Sequence, residues 1–317
     1  MKNRSAGSLP KRLCIYTSER FPLASHSVAI LAFFLSAYLT AQALSNSSVR
    51  VRWEAVSGFV ALVLVFFHVR IMDEFKDARE DAEYHPERPV PRGLITLREL
   101  GGIGIAAVIV EIGLSLWMGV LVLLAYSVVL LFTFLMYREF FLGNWLRKNP
   151  VLYTVSHIVI VPLLACYVYA IQAFRNTVVI QPAFGFYLAL SFAVGLLLEI
   201  ATKIFPPPKE GKGVGSRSKF FGAASMTYAA VGMLFIGTVS ATFLGRSLGF
   251  APYYYAGIWA VFIAAVGGFV RFRLSPTART SRHLIKLYAP IYMLGVYGLT
   301  IVQVILNRSI ALELLYS

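Results

Sequence analysis

Nine apolar runs dominate the sequence, at roughly 22–44, 53–75, 95–114, 116–137, 150–174, 181–204, 220–244, 251–271 and 284–307. Each is long enough for the ~20 residues that cross a bilayer core. Inside hydrocarbon every backbone N–H and C=O must find a partner within its own segment, so such runs are helices. The expected fold class is all-α, a polytopic membrane protein with nine transmembrane helices in one domain, 1–317. The third and fourth runs have almost no loop between them and form a tight helical hairpin. Composition agrees: 58% of the chain is hydrophobic and 14% charged, where a soluble domain carries about 25% charged residues.

The charges are not spread evenly. With nine spans, twenty-four Lys and Arg fall on the side that carries the N-terminal segment, and five fall on the other. Basic residues collect in cytoplasmic loops. The N-terminus is therefore expected in the cytoplasm of a cell whose plasma (inner) membrane holds the protein, and the C-terminus outside. The net charge of +14 is then mostly topological, with anionic membrane lipids as its partners and no nucleic acid. Cys14 and Cys166 have no metal or redox spacing, and a disulfide between them is not expected. The apolar segment after Arg20 is too long for a cleaved signal, so no cleaved leader is expected. Tyr253, Tyr254 and Tyr255 fall where an outer interfacial belt belongs.

One stretch concentrates the acids. Asp73, Asp77 and Asp81 recur every four residues at the cytoplasmic end of the second span. Steps of four turn about 400° on a helix, so the three carboxylates line one face. Carboxylates held together repel unless a cation joins them. Mg²⁺ takes one or two carboxylates together with substrate phosphate oxygens. The opposing reading is a solvated helix end with Lys76 and Arg79 paired to the acids. Pro86, Pro89 and Pro91 follow, and they predict that the helix stops and the chain extends.

Asp73-xxx-Asp77-xxx-Asp81, with Arg88-Pro89-Val90-Pro91-x-Gly93 after it, resembles the first aspartate-rich motif of the UbiA superfamily of intramembrane prenyltransferases. That motif usually reads Asn-Asp-x-x-Asp-x-x-x-Asp. Here Asp73 stands for the Asn and Glu74 for the first Asp. The resemblance implies a UbiA-like bundle around a central cavity. It implies Mg²⁺ on Asp73, Asp77 and Asp81, acting as catalytic groups on an isoprenoid diphosphate. A second motif, usually Asp-x-x-x-Asp, is expected after the sixth span. There the chain has Glu199 and Lys203, with Glu210 the only later acid before the seventh span. Either the two form an i, i+4 ion pair, or Lys203 replaces the second metal on the leaving phosphate, with Glu199 orienting it.

Further binding residues are expected around that site. Arg20 stands just before the first span, as a membrane anchor or at the cavity mouth. Arg88 and Arg92 can close over phosphate, since guanidinium forks match its oxygens. Lys76, Arg138 and Lys148 are candidate phosphate contacts, and His157 lies near the depth of a cavity. Glu111 falls toward the outer end of the third span, where it would reach the interface. The acceptor would be aromatic or lipidic. A terpene cyclase, a polyprenyl-phosphate phosphoribosyltransferase and a non-catalytic transporter or lipid-binding relative are the other readings.

Overall fold

The computed structural model describes residues 7–45, 48–172, 181–205 and 218–312. Among them, nine helices are long and apolar enough to cross a membrane, within a few residues of the expected runs. A short helix α1 (Leu9–Arg20) precedes the first span α2 (Leu23–Ser45). Then come α3 (Trp53–Lys76) and the short α4 (Ala78–Tyr84). The hairpin α5 (Leu97–Trp117) and α6 (Val120–Tyr137) follows. A six-residue helix α7 (Gly143–Lys148) leads to α8 (Pro150–Ile158) and α9 (Ile160–Ile171), two halves of one span bent at Val159. The second half holds α10 (Phe184–Thr202), α11 (Ser218–Leu248), α12 (Pro252–Leu274), α13 (Ala278–His283) and α14 (Ala289–Asn307).

Local sequence explains several boundaries. Thr96 caps α5, accepting from the Glu99 backbone N–H at 3.2 Å while Glu99 accepts from the Thr96 N–H at 2.9 Å. This reciprocal box satisfies two donors that a helix start leaves unpaired. Glu99 also takes both prongs of Arg12, at 2.6 and 3.0 Å. That bond fastens α1 beside the α3–α5 pair, where Tyr16 packs with Ile71, Ile95 and Leu100. Gly119 turns the hairpin with φ +120°, a conformation L side chains avoid.

One element departs from an all-helical reading. Ser48–Val51 (β1) and Ser309–Leu312 (β2) form a two-stranded parallel ribbon, Ser48 opposite Ser309. It joins the loop after the first span to the end of the last, so these two regions share one face of the bundle. Tyr38 and Gln42 of α2 anchor it, donating to the Arg50 carbonyl at 3.0 and 2.8 Å. The expected belt at 253–255 is also split. Tyr253 is exposed, while Tyr254 is buried and lies 3.2 Å from the Thr300 hydroxyl.

Tight packing sets a clear test. A Cβ on Gly268 of α12 would lie 2.2–2.5 Å from three ring carbons of Tyr288, well inside contact distance. Overpacking of this kind costs about 1–3 kcal/mol. Gly268→Ala is therefore expected to lower the thermal midpoint in detergent, and Gly267→Ala, which meets open space, is the control. Equal midpoints for the two variants would show that Tyr288 gives way freely.

Candidate functional site

Val69, Met72, Asp73 and Lys76 recur at helical spacing and so share one face of α3. They meet Thr133, Met136 and Tyr137 of α6 and His157 of α8, around a cleft of about 20 Å³, room for one water. The Asp73 side chain is 46% exposed and lies 3.6 Å from Arg70. Lys76 crosses the cleft. Its Nζ donates to the Tyr153 hydroxyl at 2.6 Å and lies 3.5 Å from Glu139. Glu139, Phe140 and Phe141 hold φ of +48°, +54° and +58°. Three successive left-handed side-chain residues are costly. Here the turn aims Glu139 at Lys76 and sets Phe140 edge-on to His157 at 5.6 Å.

The aspartate helix is not continuous. It bends at Asp77, where φ is −93° and ψ 3°. The backbone bonds Asp77 N–H to Asp73 O (2.9 Å) and Asp81 N–H to Asp77 O (2.8 Å) still carry the four-residue spacing across the bend. The three side chains nevertheless part company. Asp81 is buried and accepts from Arg88, with Arg20 3.6 Å away. Glu74 is 1% exposed and accepts from Arg20 and Arg70, each at 2.7 Å. Asp77 makes no side-chain hydrogen bond or close ion pair among the described residues; burial and the carboxylates of Asp81 and Glu74 push its pKa up. After Tyr84 the helix stops as expected, but the proline stretch coils rather than extends. Successive turns carry Arg88 N–H to His85 O and Leu94 N–H to Pro89 O. Gly93 closes them with φ +80°, which explains a glycine at the end of the Arg-Pro-x-Pro-x-Gly run.

At the end of α10, Glu199 and Lys203 lie 3.8 Å apart and are about one-third exposed. They line a cavity of about 320 Å³ between α8, α10 and α11, otherwise bounded mainly by Val151, Val155, Leu196, Ile200, Met226 and Met233.

The family model described as the UbiA prenyltransferase family matches residues 28–289. The chain belongs to this family. A solved structure of digeranylgeranylglyceryl phosphate synthase is 20% identical, with a TM-score of 0.64, over 93% of this chain and 99% of that one. The apo structure of a UbiA homologue from Aeropyrum pernix K1 is 13% identical, with a TM-score of 0.65, over 88% of this chain and 97% of that one. At such identities the likeness speaks for the fold. Among curated proteins none matches the chain.

Of the other expected site residues of this UbiA chain, His157 lines the cleft, while Arg92, Arg138 and Lys148 fall outside it. Arg92 grips Glu19 with two bonds of 2.8 Å and holds its carboxyl below the usual range. Arg138 is exposed and stands over the Phe141 ring, 5.5 Å from its centroid. Lys148 is exposed at the end of α7. His157 lines the cleft, with Nδ1 2.7 Å from the Tyr153 carbonyl and its ring stacked on Tyr153. Glu210 lies outside the described residues.

Glu111 does not reach the interface. It is fully buried, its carboxylate accepting from the Tyr126 hydroxyl at 2.6 Å and lying 2.9 Å from His68 Nδ1. The sequence reading missed His68, which stands in an apolar run with no motif around it. An ionisable residue inside a span points to the bundle interior and to a partner on another helix. Pairing the histidine of α3 with the glutamate of α5 was the available signal.

Of the three aspartates expected to hold Mg²⁺, Asp73 and Asp77 keep carboxylate oxygens open, and Asp81 is engaged. Among the described residues no three His, Cys, Asp or Glu come together as a metal-holding group. Asp81 is taken by two arginines, whereas Asp73 has one loose ion pair and Asp77 has none. Two carboxylates suffice for an ion that keeps several waters and adds phosphate oxygens.

Proposed function

We propose that the protein is a Mg²⁺-dependent intramembrane prenyltransferase, which binds an isoprenoid diphosphate at Asp73 and Asp77 and passes its prenyl group to an aromatic or lipid acceptor. The observation that carries this reading is the division of labour among the acids. Asp81 and Glu74 are committed to Arg88, Arg20 and Arg70, while Asp73 and Asp77 remain open beside Arg70 and Lys76. When bound, Mg²⁺ supplies positive charge that offsets the charge gathering on the departing diphosphate. Lys76 in the cleft and Arg70 beside Asp73 add fixed cations. Arg20 and Arg88, through Asp81 and Glu74, hold the bend that presents Asp77. The apolar spans keep bulk water from the prenyl carbon once its bond to diphosphate opens.

Incubation of the reconstituted protein with Mg²⁺ and prenyl diphosphates of several lengths, read by mass spectrometry, tests the reading. A joined product is expected. A cyclic hydrocarbon or alcohol would make the protein a cyclase, and no turnover together with no diphosphate binding would overturn the reading.

The same proposal places α1 in the cytoplasm of a cell whose plasma membrane holds the bundle, on the strength of the charge asymmetry. Cys14 of α1 is exposed and serves as a natural probe. A membrane-impermeant thiol reagent is expected to label it in broken cells and not in intact ones. Labelling in intact cells would invert the bundle.

A further inference from the structure

The cavity at Glu199 and Lys203 and the cleft at Asp73 adjoin along one short helix, α8, where residues three or four apart are neighbours. Thr154 of α8 lines the first and His157 the second. The cavity is mainly apolar; besides Thr154 and Ser225, its polar lining is the carboxylate and the ammonium, which stand 3.8 Å apart. That distance is too long for a direct hydrogen bond, and it suits a single oxygen bonded to both. A hydroxyl has the matching chemistry, one donor for the carboxylate and a lone pair for the ammonium. The cavity's volume of about 320 Å³ falls within the range of small-molecule sites.

We infer that this cavity is the acceptor site, and that the acceptor is an amphiphilic alcohol or phenol whose hydroxyl sits between Glu199 and Lys203. The inference rests on the prenyltransferase reading and specifies its second substrate. The hydroxyl oxygen forms a bond to C1 of the prenyl group as the bond from C1 to the diphosphate oxygen breaks. The diphosphate leaves with that electron pair, and the hydroxyl proton passes to Glu199. Lys203 donates to the same oxygen and fixes its lone pairs. The product is an ether. The Glu–Lys pair thus serves the acceptor, in the place where a second aspartate motif would serve a second metal. The two chambers adjoin along α8, which the Lys76–Tyr153 bond at 2.6 Å ties to α3.

The test uses the full-length protein in nanodiscs, with 4-octylphenol as the probe and octylbenzene as the same body without the hydroxyl. Saturable binding of one 4-octylphenol is expected, at least tenfold tighter than octylbenzene. Glu199→Leu, which removes the carboxylate, is expected to erase that preference. Ala229→Phe, which fills the cavity from an exposed position on α11, is expected to weaken both probes at least tenfold. Equal affinity of the two probes for the wild type would show a groove for lipid chains with no hydroxyl seat, and would overturn the inference. So would 4-octylphenol binding that survives Ala229→Phe unchanged. Binding of geranylgeranyl diphosphate in Mg²⁺ is measured on the same samples and is expected to persist in Glu199→Leu. Its absence from the wild type would remove the prenyltransferase reading and leave the hydroxyl site standing.

Discussion

Asp77→Asn is expected to lower Mg²⁺-dependent turnover of a prenyl diphosphate by about 10²–10³-fold, since metal charge contributes several kcal/mol to such a transition state and each 1.36 kcal/mol is tenfold. The amide keeps the shape of the side chain and removes its charge. The Asp77 carboxylate has no side-chain hydrogen bond or close ion pair to lose among the described residues, so the thermal midpoint should hold. Its pKa is raised by burial and by neighbouring carboxylates, so losing the charge in the absence of metal relieves repulsion. Asp81→Asn should behave in the opposite way. It strips the partner from Arg88 and Arg20 and should lower stability while leaving the Mg²⁺ dependence of diphosphate binding in place. Calorimetric binding and thermal melts on both variants separate the two roles. A wild-type affinity in Asp77→Asn would take the metal away from this bend.

Glu111→Leu is expected to cost about 2–6 kcal/mol of stability, because two buried donors lose their acceptor at about 1–3 kcal/mol each. His68 is 2% exposed and Glu111 fully buried, and the Tyr126 hydroxyl points at the carboxylate from α6. Glu111→Gln keeps one carbonyl acceptor and should fall between the two. Unfolding in mixed detergent, followed by circular dichroism, measures the order. A Glu111→Leu protein as stable as wild type would mean that the His68 ring and the Tyr126 hydroxyl find other partners.

The spans were legible because hydrocarbon leaves the backbone one choice, and the hairpin at Met118-Gly119 because no loop was available. The four-residue spacing of the aspartates was legible too. What each aspartate touches was not. Asp81 is claimed by Arg20, from before the first span, and Glu74 by the same arginine. Such pairings join side chains that periodicity treats one element at a time. Glu111 shows the limit most clearly. Counting along α5 gave its depth, and depth says nothing about which side of the helix faces protein. The bend at Asp77 had no glycine or proline to mark it, while the turn at Gly93 did. Glu199 and Lys203 were readable as an i, i+4 pair; the cavity beside them depends on α8 and α11, which no local pattern places.

The β1–β2 ribbon also sets a clock on assembly. Ser48 leaves the ribosome about 260 residues before its partner Ser309. At about 5–20 residues per second the wait is about 13–50 s. Through that interval the loop after α2 has no strand to pair with, and the first span is held only by its lateral neighbours. The ribbon forms late, and it joins a loop made early to a segment made about 260 residues afterwards. A chain cut short at residue 308 would keep the nine membrane-spanning helices of the described residues and leave Ser48–Val51 without its strand.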